Sequence, residues 1–197
     1  MASSMVSSRF AYPTYVLRRK VFKLFGGAFH IFNPQGELVF FANMKAFKLR
    51  EDIRLYSGED MQQEVLVIKA RQILDISAVY DVMDAATNQK VGALKRKGLK
   101  SVLRDEWVFL DESDREIGLI QEDSTMMALV RRFLTNLIPQ SYHATLNGVP
   151  VATMKQNFNP FVLRITLDFS KDFNRKLDRR LGIAAGILLC AIEGRQS

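Results

Sequence analysis

The sequence predicts a mainly β protein: a closed antiparallel barrel of about twelve strands around a central hydrophobic C-terminal helix, with one further amphipathic helix. Three observations predict it. First, Leu181–Ile192 is apolar on every side, and a helix with no polar face has to be buried all round. A run of roughly 12 residues rises only about 18 Å, whereas a bilayer span takes roughly 20 residues. Second, nearly everything before it reads as short β-branched and aromatic runs separated by tight-turn residues. Third, one hairpin pattern recurs along the chain, as a barrel built from repeated hairpins requires.

The 197 residues, 48% apolar and 25% charged, suit one folded domain with a large core. Residues 1–14 read as a disordered Ser-rich tail and 15–197 as the barrel domain. The first acidic residue is Glu37, a feature shared with organelle transit peptides. Strand-like sequence from Tyr15 onward favours a short tail instead. Cys190 is the lone cysteine, which excludes a disulfide within the chain and argues against a Cys-based zinc site. Inside an apolar helix it acts as a small hydrophobe.

In chain order, Tyr15–Leu24 and Ala28–Phe32 are aromatic and β-branched runs split by Gly26-Gly27, a hairpin signal. Asn33-Pro34-Gln35-Gly36 turns, since Pro presets φ and Gly accepts positive φ, and Glu37–Ala42 returns. Ala46–Leu49 and Ile53–Tyr56 are short strands, closed by a turn at Ser57-Gly58. Val65–Ala70 and Ile73–Met83 are apolar-rich strands. Ala85–Gln89 turns and Lys90–Lys95 returns. Leu99–Leu103 and Trp107–Leu110 follow, then a polar turn at Asp111–Asp114 and a return at Glu116–Gln121. In Met126–Ile138 the apolar residues fall at helical spacing, leaving a polar strip of Arg131, Arg132, Thr135 and Asn136. Ser124 is placed to cap that helix, and Pro139 stops it. Tyr142–Leu146 and Val149–Lys155 flank Asn147-Gly148, the pair that suits a type I′ turn. Phe161–Phe169 alternates strictly and is the last strand. In the terminal helix, Leu181, Ile183, Ile187, Leu188, Cys190 and Ile192 are the expected core, and Gly182 and Gly186 let strands approach closely.

The recurring hairpin is Phe29–Asn33 with Glu37–Val39, then Tyr80–Asp84 with Val91–Ala93, Trp107–Asp111 with Ile117–Leu119, and Tyr142–Asn147 with Val149–Val151. Each brings an aromatic residue, then Asp or Asn at a turn, then an apolar return. The Asp and Asn are expected to cap backbone groups.

Three stretches carry a family resemblance: Phe29–Phe40 with Lys45–Leu49; Tyr80–Asp84 with Val91-Gly92 and Lys95-Arg96-Lys97; and the order of last strand, charged link with Leu177-Asp178, and apolar helix. In these the chain resembles the tubby C-terminal-like superfamily, which holds the LURP-one-related proteins, the phospholipid scramblases and the tubby domains. The resemblance implies a twelve-stranded barrel around a C-terminal helix. It also implies phospholipid or phosphoinositide binding as the functions to consider. The acidic calcium segment of scramblases is not matched: the link here, Ser170-Lys171-Asp172-Phe173-Asn174-Arg175-Lys176, is basic on balance. No cysteine cluster for palmitoylation is present either.

No nucleophile elbow, dinucleotide fingerprint, P-loop or zincin motif occurs. The two histidines, His30 and His143, fall on strands as packed or surface residues. Asp111–Glu116 lacks the ligand spacing of a calcium loop. The expectation is therefore no enzyme, no catalytic residue, no metal and no cofactor. Net charge +7 and a pI near 9.6 favour an acidic partner. The densest basic cluster, Lys95, Arg96, Lys97 and Lys100 with Arg104, together with Lys45 and Lys48, is the expected anionic-lipid or phosphate site. Other basic clusters are Arg18-Arg19-Lys20 with Lys23, Arg131-Arg132, and Arg175, Lys176, Arg179 and Arg180. No nucleic-acid motif appears, and none is expected as partner. The reading is a non-enzymatic binding domain, cytoplasmic and peripheral to an anionic phospholipid membrane surface. The alternatives are a protein-interaction scaffold barrel bound to a protein partner, and a phospholipid scramblase.

Overall fold

Strict alternation writes the fold into the chain. In the last strand Leu163, Ile165 and Leu167 are buried while Arg164, Thr166 and Asp168 between them are not; a period of two sends one set inward and the other to the surface. The computed structural model describes residues 8–20, 27–44, 52–74, 77–97, 106–123, 140–157 and 162–192. In it twelve strands form a closed barrel: β1 (Thr14–Lys20), β2 (Gly27–Phe32), β3 (Leu38–Met44), β4 (Ile53–Tyr56), β5 (Glu64–Leu74), β6 (Ser77–Asp84), β7 (Lys90–Lys97), β8 (Glu106–Leu110), β9 (Glu116–Glu122), β10 (Ser141–Leu146), β11 (Val149–Asn157) and β12 (Val162–Asp168). Each strand pairs antiparallel with its sequence neighbours, and β1 pairs with β12 from Thr14↔Asp168 to Lys20↔Val162, which closes the ring. Closure removes the exposed edges that an open sheet would leave.

The helix α1 (Arg179–Ile192) fills the barrel. Leu181, Ile183, Ile187, Leu188 and Cys190 are each no more than 2% exposed and join one core with Tyr15, Leu17, Phe40, Trp107 and Phe109. The side chain of Ile192 lies outside the described residues. Gly182 and Gly186 allow the close approach expected of them. A Cβ on Gly182 would sit 2.6 Å from Phe169 Cε1, and one on Gly186 2.8 Å from a Leu167 methyl.

The turns at the helix's N-terminal end repeat one device. Asn33 Oδ1 accepts the Gln35 and Glu37 N–H groups. Asp84 Oδ1 accepts those of Ala86 and Thr87, and Asp111 Oδ1 those of Ser113 and Arg115. In each turn the residue two before the returning strand takes positive φ: Gly36, Asn88 and Asp114. Asn147 and Gly148 both have positive φ, as a type I′ turn demands. Asn33, Asp84 and Asp111 of the repeat are thus backbone caps.

Two strand boundaries need correction. The strand expected at Ile73–Met83 is split between two antiparallel strands: Ile73 and Leu74 end β5, and β6 begins at Ser77, which pairs with Leu74. Arg71-Gln72 reads in sequence as a break between two strands, but β5 runs through it to Leu74. The register shifts between Ala70 and Gln72, so Arg71 is extruded as a bulge. Its guanidinium reaches Asp114 at 2.7 Å and Asp81 at 3.2 Å. Polar residues there mark a bulge with an ionic partner. The expected strands Ala46–Leu49 and Leu99–Leu103 and the expected helix Met126–Ile138 lie outside the described residues. Within the expected tail, Phe10 packs on Phe40 with ring centroids 4.5 Å apart. Arg9 donates to the Val39 and Ser57 carbonyls, and the Tyr15 hydroxyl donates to the Arg9 carbonyl.

Candidate functional site

Lys95, Arg96 and Lys97 are the last three residues of β7 and so form a strand end. Alternation separates them. Leu94 is buried in the core, so Arg96 shares its inward face, where its charge opposes the burial that raises the Tyr80 pKa. Lys95 and Lys97 face outward beside acids from neighbouring strands. Lys97 Nζ is 2.5 Å from Glu106 Oε1, and Lys95 Nζ is 3.6 Å from Glu116 Oε1. The bond from Glu106 raises the Lys97 pKa, and the bond from Lys97 lowers that of Glu106. Lys45, Lys48, Lys100 and Arg104 lie outside the described residues.

The link between β12 and α1 sorts its charges differently. Of its two acids, Asp178 pairs with Arg180, and Asp172 turns inward; the Asp172 side chain is 2% exposed and pairs with Arg179 at 2.7 Å. It also accepts the backbone N–H groups of Lys176 and Leu177. Burial pushes this carboxyl up, but the Arg179 bond and the two N–H groups outweigh burial and hold it below the ordinary aspartate value. The Arg179 guanidinium also stacks 4.5 Å over the Phe169 ring. The buried pair thus fixes the link against the helix start. What remains outside is Lys171, Phe173, Arg175 and Lys176, all exposed. Phe173 is 90% exposed, against 43% for Met61 and 49% for Val149 among the exposed large apolar side chains.

Beside the link, a cavity of about 500 Å³ opens at the helix N-terminus, walled by Phe10, Val65, Leu177, Thr87 and Arg180. Arg180 is matched there by Asp84 at 2.7 Å and Asp178 at 2.6 Å. Asp84 and Asp178 offset Arg180, as Asp172 offsets Arg179, so both cations placed against the positive end of the helix dipole are matched. At the other end the sign is favourable: Arg19 Nη1 donates to the Cys190 carbonyl at 3.3 Å. The Cys190 thiol is pushed up to about 12 by burial, so it is a packing group and not a nucleophile. His30 and His143 sit on the outer wall near carboxylates, His30 at 2.6 Å from Glu59 and His143 at 3.3 Å from Asp123. Among the described residues no helix is long and apolar enough to cross a membrane.

Sequence reasoning grouped Arg175, Lys176, Arg179 and Arg180 as one basic cluster. The structure divides it into exposed and inward-paired halves. Phe173 and Lys171 were not among the expected site residues. A large apolar side chain inside an otherwise polar link was the available signal.

The family model described as LURP-one-related matches residues 38–189 of the chain. No curated protein and no solved structure matches it.

Proposed function

The chain belongs to the LURP-one-related family, within the tubby-like superfamily, and on that premise we propose that it is a non-enzymatic binding domain that docks peripherally on anionic phospholipid. One observation carries this reading. The link presents Phe173, 90% exposed, among exposed Lys171, Arg175 and Lys176, while Asp172 is buried against Arg179 and Asp178 is paired with Arg180. An aromatic ring flanked by cations suits the membrane interface: the ring enters the apolar boundary and the cations stay at headgroup level. Burying a Phe side chain contributes about 2 kcal/mol. Each basic residue near an anionic surface adds about 1 kcal/mol. The sum describes reversible association, with the protein remaining on one side of the bilayer.

Sedimentation with vesicles tests it. Phosphatidylserine-containing vesicles should pellet the protein at low salt and release it at high salt, where screening is short-ranged. Pure phosphatidylcholine vesicles should not pellet it. Phe173→Ala and Lys171→Glu should each weaken the binding, and Lys171→Glu with Arg175→Glu should abolish it. Unchanged binding by those variants would refute the link as the contact. A second surface is favoured by charge density alone: the β7 end with Lys95, Arg96 and Lys97. Loss of binding in a variant neutralised there, with the link variants unaffected, would move the contact to that strand end. The scaffold alternative is supported if no vesicle binds. The scramblase alternative requires transfer of lipid between leaflets, read with labelled lipid in the same vesicles.

A further inference from the structure

The outer wall of the barrel carries a second arrangement of cations, on different residues from the link. Across β2, β1 and β12 the register aligns His30↔Arg18 and Arg18↔Arg164. All three lie on the outward face, since their strand neighbours Leu17, Ile31, Leu163 and Ile165 are in the core. Two arginines directly opposite on one face of a sheet repel and destabilise it. Elsewhere on this barrel such cations carry carboxylate partners, as Arg54 does with Glu64 and Arg71 with Asp114. Among the described residues neither Arg18 nor Arg164 has an ion pair. The Arg164 Nε is buried without a hydrogen-bond partner. A cavity of about 370 Å³ is lined by Arg18, His30, Phe32 and Val162, and Arg164 stands next to that lining, directly across from Arg18. The Arg18 guanidinium lies 5.4 Å from the Phe32 ring centroid, which holds it at the cavity wall. Glu59, whose carboxylate meets the His30 ring, is bonded to that histidine.

We propose that this cavity is a binding site for a phosphate group, held by Arg18 in its wall and by Arg164 reaching in from the facing position on the next strand, with Phe32 and Val162 as the apolar wall for whatever the phosphate is attached to. The charge matches. A phosphomonoester carries about −1.5 to −2 at neutral pH, and two guanidinium groups supply the opposite charge without His30. Guanidinium groups donate bidentate, charge-assisted hydrogen bonds to phosphate oxygens. A bound phosphate also removes the repulsion between the two arginines, which accounts for their tolerated juxtaposition.

The test uses the full chain and two probes at constant ionic strength. Inorganic phosphate is titrated by calorimetry and by thermal shift, with chloride as the control anion. Phosphatidylcholine vesicles with and without phosphatidic acid form the second arm. Saturable phosphate binding that raises Tm is expected, and Arg18→Gln or Arg164→Gln should weaken it by roughly tenfold or more. Without phosphate, either variant should melt no lower than wild type, because the repulsion is relieved. Response to the free anion identifies a soluble phosphate compound. A response confined to phosphatidic acid vesicles, and lost in Arg18→Gln, identifies a lipid headgroup. Phe173→Ala should leave phosphate binding unchanged, which separates this site from the link. Absence of a response to both probes overturns the proposal, as does wild-type affinity in both arginine variants.

Discussion

The link 170–178 and the end of β7 look alike in sequence, each a short run dense in Lys and Arg, and they differ in where their acids go. At the β7 end Glu106 and Glu116 lie across Lys97 and Lys95 on the outer surface. In the link, Asp172 is drawn inside by Arg179 and two backbone N–H groups. The first arrangement spends positive potential on the surface; the second exposes it, together with Phe173. Local charge density is therefore a poor guide to a cationic surface. The position of the counter-charge decides, and only the folded chain supplies it.

The largest effect should come from removing the frame both regions share. Ile187→Asp places a charge at a fully buried position inside the barrel, and an unpaired buried charge costs more than a domain's margin of stability permits. The variant should lack cooperative thermal unfolding in circular dichroism. A soluble variant with a wild-type melting curve would show that the helix is not core.

Next, Asp172→Ala should break the link alone. Removing one partner of a buried pair costs about 3–5 kcal/mol, read as a lower denaturation midpoint. The same contact sets an acid limit. The folded Asp172 pKa is below its unfolded value, so its contribution is present above the ordinary aspartate pKa. It is lost as pH falls through the lowered folded value. Acid unfolding of wild type should therefore be steeper than that of Asp172→Ala below about pH 4.

Gly182→Ala loosens the link from behind. The added methyl meets the Phe169 ring on which Arg179 stacks, and overpacking of this kind costs about 1–3 kcal/mol. A lower Tm is expected, with weaker vesicle binding if the link shifts.

The smallest stability effect sharpens the comparison most. Glu106→Gln with Glu116→Gln should change stability by no more than about 1 kcal/mol, since both are surface pairs. It should strengthen anionic vesicle binding by freeing Lys95 and Lys97. Unaltered binding would show that the β7 end does not face the membrane.

Much of the fold was legible because strands and turns are local. Ile53–Tyr56 is bounded in the structure as the alternation places it. Asn33, Asp84 and Asp111 announced their turns through the capping chemistry of their side chains. Leu181–Ile192 announced its burial by having no polar face. The misread break at Arg71-Gln72 shows the limit. A bulge is a strand defect that looks polar, and its meaning lies in Asp114, 43 residues away. The site was legible only as charge. Arg18-Arg19-Lys20 read as one cluster, yet alternation turns Arg18 outward while Arg19 reaches the helix C-terminus at Cys190. The Arg180 partner Asp84 is 96 residues distant, beyond any local pattern.

The position of α1 in the chain has a consequence for how the protein is made. The strands that enclose the core are synthesised before the residues that fill it, and β1 pairs with β12 only near the end. At roughly 5–20 residues per second, the first strand waits on the order of ten seconds or more for its partner. Long-range pairing of this kind is slow to form and prone to aggregation while it is incomplete. Nascent chains stalled before Arg179 should therefore be held by chaperones and remain sensitive to protease. Those stalled with α1 clear of the ribosome should acquire resistance in one step.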